Sequence, residues 1–84
     1  MSSEYKISFL DIAGKTNDYG VGEIVKISNS FFQEKNHIKR YGMIVSKKLV
    51  SEKMFLKKEI SMKLFSILVD GKVYNMSSGF LEKS

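Results

Sequence analysis

The chain contains no cysteine, which excludes disulfides, thiolate metal sites and a cysteine nucleophile. It also has no proline and no tryptophan, so an aromatic groove of the tryptophan-bearing kind that reads polyproline peptides is not available. Its longest apolar runs, such as Ile67-Leu68-Val69, fall far short of the roughly 18 residues a membrane span needs. No charged-then-apolar leader opens the sequence, and the expectation is an untargeted cytoplasmic product with no membrane partner. His37 is the single histidine and has no orienting carboxylate beside it, so a catalytic triad or metal centre has nothing to build on. Of the nine acidic residues, Asp11, Asp18, Glu23, Glu34, Glu52, Glu59, Asp70 and Glu82 are scattered without a catalytic pair. Ala13-Gly14-Lys15-Thr16 echoes the end of a phosphate-binding loop, but Phe9 stands where that motif needs its first glycine. Catalytic residues, metal ligands and cofactors are therefore not expected.

What is present is one small domain of 84 residues with 43% hydrophobic and 27% charged residues, ordinary globular proportions. A domain this size buries only about 60% of its unfolded surface, and oligomerisation is one way to stabilise such a chain. The net charge is +5. It is concentrated: residues 35–63 carry nine basic and two acidic side chains, a balance of +7, whereas the rest of the chain sums to −2. That gradient points to a polyanionic partner such as nucleic acid, set against lysines that only solvate a surface and guard sheet edges.

Periodicity reads mainly β. Tyr5 to Phe9 alternates apolar and polar residues, as a short strand or as a tail that orders on a partner, and 14–20 is a run of turn formers. Glu23-Ile24-Val25-Lys26-Ile27-Ser28 is the first core strand and Tyr41 to Ser46 the second, joined by a polar stretch that Phe31 and Phe32 open. The sharpest local signal is Phe65 to Met76. Asp70-Gly71 between alternating apolar residues is a type I′ hairpin turn, because both central residues need positive φ. That register pairs Val69 with Lys72, Ile67 with Tyr74 and Phe65 with Met76, and predicts Phe65, Ile67, Val69, Tyr74 and Met76 as core. Residues 49–64 suit two strand segments or a helix stripe. The strand reading requires the apolar phase to switch between Leu64 and Phe65 through a bulge or bend. Ser77-Ser78-Gly79 then turns into a final short strand, Phe80-Leu81-Glu82.

In order, Gly22-Glu23-Ile24-Val25-Lys26-Ile27, Gly42-Met43-Ile44-Val45, Phe65 to Lys72 with its Asp-Gly turn, and Phe80-Leu81-Glu82 resemble the small SH3-like barrels, KOW- and Tudor-like ones included, found among short bacteriophage proteins. The resemblance spans about residues 20–83. It implies a five- to six-stranded SH3-like barrel with long basic loops over 20–84, preceded by an N-terminal extension over 1–19 with a possible extra strand. It also implies, for a viral chain, a place in the host cytoplasm or the virion. Such barrels bind nucleic acids, peptides and other subunits, so the fold alone does not choose.

The candidate binding residues come from the basic loops. Lys35, Lys39, Arg40, Lys47, Lys48, Lys57 and Lys58 are placed to meet phosphates, with Phe32 and Tyr41 to stack on bases. The competing role for Phe31, Phe32 and Phe55 is as core or loop anchors. The leading expectation is a non-enzymatic module that engages DNA or RNA with little sequence specificity. The alternative is a protein-interaction or virion subunit, an inhibitor of a host complex included, with a homo-oligomer among its forms.

Overall fold

A computed structural model of the chain describes residues 5–12, 17–33, 39–54 and 58–84. Five strands, β1 (Ile24–Ile27), β2 (Arg40–Met54), β3 (Lys58–Val69), β4 (Lys72–Ser77) and β5 (Leu81–Lys83), form one antiparallel sheet in the order β4-β3-β2-β1-β5. Two single helical turns, α1 (Phe9–Ile12) and α2 (Asn29–Phe32), and a 3-10 turn at Ser78–Phe80 complete the elements among the described residues. The mainly β reading holds, but among the described residues the sheet does not close into a barrel: β4 and β5 are its two edges.

The hairpin forms as its sequence dictates. Asp70 and Gly71 sit at φ of 50° and 80°, the two left-handed positions of a type I′ turn, and β3 and β4 pair Val69 with Lys72, Ile67 with Tyr74 and Phe65 with Met76. Phe65, Ile67, Val69 and Met76 are buried, joined by Val25, Ile27, Ile44, Leu81, Tyr19 and Phe31. Tyr74 is half-buried instead, packed edge-on against Phe31 and Phe32 with ring centroids 5.9 and 5.3 Å apart.

Residues 49–54 and 58–64 are strand, not helix. The expected phase switch is real, since Met62, Leu64, Phe65 and Ile67 are all buried, but its cause differs from a break in β3. Pairing with β4 runs unbroken through Leu64–Ser77 and Phe65–Met76; two neighbours pointing to opposite sides are both covered. The bulge lies on β2, where Val45 is the extra residue between Ile44 (opposite Ile67) and Ser46 (opposite Ser66). Beyond Lys48, β2 and β3 continue as a two-stranded arm.

The N-terminal strand expected over Tyr5 to Phe9 reduces to one parallel bridge, Lys6 to Met76 on the free edge of β4. Polar groups divert the chain. Ser8 N donates to Ser77 Oγ at 2.8 Å, and α1 then delivers the buried Asp11 to accept from Ser78 Oγ at 2.7 Å and Gly79 N at 3.0 Å. Asn17 N reaches Ser78 Oγ, and Tyr19 Oη donates to Leu81 O while its ring meets Phe65 edge-on. The N-terminal segment is thus fastened to both edge strands. Gly79 is required where it crosses, because a Cβ there would collide with the Ser8 side chain.

Candidate docking face

Pairing across four neighbouring strands brings one apolar residue from each into a single row. Ile24 stands opposite Met43, Met43 opposite Leu68, and Leu68 opposite Val73. Each precedes or follows a residue that points into the core, so strand alternation turns all four outward. They are 47, 38, 37 and 57% exposed, and Tyr41 and Val45 widen the row on β2 at 48 and 37%. With strands about 4.8 Å apart the row crosses roughly 14 Å of sheet. Exposed apolar residues scattered singly are ordinary surface, whereas a contiguous row is a candidate interaction site.

The row has a polar rim. On one side Lys26 is paired with Tyr41 and Glu82 with Lys26, and Lys39 lies in phase with Tyr41 just ahead of β2. On the other, Ser46, Ser66 and Asn75 form a ladder in which Ser66 Oγ donates to Asn75 Oδ1 at 2.7 Å, and Lys48 follows two residues on. Asp70 at the hairpin tip stands 3.8 Å from Arg40 Nη1.

The residues singled out from sequence do not form one surface. Tyr41 and Lys48 share the outer face with the apolar row, and the exposed Lys39 lies just ahead of β2, two residues before Tyr41. Arg40 points the other way, its guanidinium 4.7 Å over the Phe32 ring, and Phe32 belongs to an aromatic cluster with Phe31 and Tyr74. Lys47, on the core side of β2, holds Asp18 Oδ1 at 3.3 Å and the Tyr19 carbonyl at 3.2 Å, while Lys63 holds Asp18 Oδ2 at 2.9 Å. The two ammonium groups, Lys63 foremost, lower the Asp18 carboxyl below its usual range. Burial raises the Tyr19 phenol. Lys35, Lys57, His37, Phe55 and the Ala13 to Thr16 segment lie outside the described residues, and Lys58 is described only as the start of β3.

Sequence reading passed over Ile24, Met43, Val45, Leu68 and Val73. A signal for most of them was there: Ile24-Val25, Met43-Ile44-Val45 and Ile67-Leu68-Val69 are apolar in both phases, whereas a half-buried antiparallel strand alternates. Two shallow depressions lie beside β1 and β5, one lined by Lys26, Ile27, Ser28, Asn29 and Glu82 and the other by Asn17, Asp18, Tyr19, Leu81, Glu82 and Lys83. Among the described residues no three histidine, aspartate or glutamate side chains are grouped to hold a metal, and no helix is long and apolar enough to cross a membrane. Comparison with protein-family models, with curated proteins and with solved structures finds no match to this chain.

Proposed function

We propose that the chain is a non-enzymatic binding module of the SH3-like barrel type that docks a protein partner on the outer face of its sheet. The observation that carries the docking is the Ile24–Met43–Leu68–Val73 row: four strands would not each keep an apolar side chain in water at the same level unless that level is covered in use. Support for the barrel type comes from the strand order, with a 3-10 turn feeding β5 back beside β1, and from an N-terminal segment that spans to both sheet edges.

A polyanion such as nucleic acid is the second reading, favoured by the +7 balance over residues 35–63. It is weakened by geometry, because Lys47 is engaged with Asp18 and Arg40 lies over Phe32. Lys39 and Lys48 then stand near opposite ends of a strand path up to about 30 Å long.

Peptide display separates the two. The parent is panned with a Met43→Asp, Leu68→Asp double variant as counter-selection, after thermal unfolding has verified that the variant folds. Recovery of sequences that bind the parent and not the variant is the expected result, and no such sequences would end the docking reading. Oligonucleotide binding by both proteins, with affinity falling linearly in log salt, would transfer the function to a polyanion.

A further inference from the structure

Building on the docking reading, we infer that the occupant of the row is a short protein segment, apolar on the side it presents and acidic at its flanks. The charge around the row carries this. Among the described side chains, Glu82 has Lys26 as its cross-strand neighbour, and Asp70 at the hairpin tip stands 3.8 Å from Arg40. Lys39 and Lys48, exposed at the two ends of the row's β2 stretch, have no carboxylate partner among the described residues. A segment laid along β2 across the row therefore meets apolar side chains in the middle and, roughly 15 Å to either side, an ammonium with no carboxylate partner among the described residues. Carboxylates at its flanks complete that pattern, whereas lysines there meet like charge. A second copy of this chain fits less well, since each copy brings a net +5 and the same lysine-bordered row. A nucleic acid would satisfy the lysines and leave the apolar row unmatched.

The test uses the full chain, isotopically labelled for amide shift mapping, and two short synthetic peptides with the same apolar residues, one flanked by glutamates and one by lysines. The glutamate peptide is expected to shift the amides of Ile24, Met43, Leu68 and Val73 and to bind about fivefold tighter, the sum of two exposed charge pairs. In a Lys39→Glu, Lys48→Glu double variant the preference should reverse, and high salt should erase it. Equal binding of both peptides at the row overturns the acidic occupant while leaving the docking face in place. Binding of neither peptide also overturns it, and the display experiment then decides the docking face separately. Row amides that move with protein concentration alone would assign the row to a second copy, and row amides moved by a labelled oligonucleotide would assign it to nucleic acid; either result overturns the inference.

Discussion

The outer side of the sheet has two halves that solve the same problem differently. Over the end of β4 and the neighbouring stretch of β3, Ser77 and Leu64 are buried, and residues 6–11 and 17 are fastened to Ser77, Ser78 and Gly79 by hydrogen bonds. Over the middle of β1 to β4, Ile24, Met43, Leu68 and Val73 face solvent. The covered half holds its cover through polar side chains that fix position. The bare half exposes a row of apolar area, whose burial is non-directional. Polar anchoring marks where the chain covers itself, and its absence marks where it does not.

The sharpest way to break that contrast is within one strand. Phe65 is fully buried and Leu68 stands outward three residues later. Phe65→Ala should cost about 3–5 kcal/mol, enough to threaten folding of a domain this small, because it removes the ring that Tyr19 meets edge-on and leaves a cavity. Leu68→Ala should cost less than about 1 kcal/mol, within the range of surface substitutions. Denaturant unfolding of both variants checks this; similar losses would mean that the row is structural and not a free face.

Loosening the cover comes next in size. Asp11→Ala strips Ser78 Oγ and Gly79 N of their acceptor in a buried place, a loss of about 1–3 kcal/mol. Hydrogen exchange should quicken at residues 77–79 while β1 and the centre of β2 keep their protection. Protection unchanged at 77–79 would show that packing, not the carboxylate, holds the segment.

Much of this arrangement was legible in the residues. Asp70-Gly71 fixed the hairpin and its register because a two-residue type I′ turn leaves no freedom in pairing. The path of residues 5–12 was not legible, because the pull on it comes from Ser77, Ser78 and Gly79, more than sixty positions away, and local alternation does not register distant hydrogen bonds. The Leu64-Phe65 switch was visible but misattributed, since doubled apolar phase arises from burial on both sides as readily as from a bulge. Of the nine candidate binding residues, charge composition located the region and left the facing undetermined: Lys47 and Lys48 are adjacent in sequence and lie on opposite faces. The apolar row required cross-strand register, which only the hairpin supplied from sequence.

The smallest expected effect concerns the clamp at the seam, where Lys47 and Lys63 grip Asp18. The carboxyl titrates below its usual range in the folded chain, so it binds its proton less readily there than in the unfolded chain. Its contribution to stability is therefore complete above the ordinary carboxylate range and is lost as pH falls through the lowered value. Asp18→Asn should lower stability slightly at neutral pH, by an amount that shrinks in high salt because the group is exposed and screened. The difference between parent and variant should close as the medium is acidified, read from melting temperature against pH. A gap that stays constant into acid would show that Asp18 positions Tyr19 through its backbone and side-chain packing, with the two lysines serving only to solvate the arm of β2 and β3.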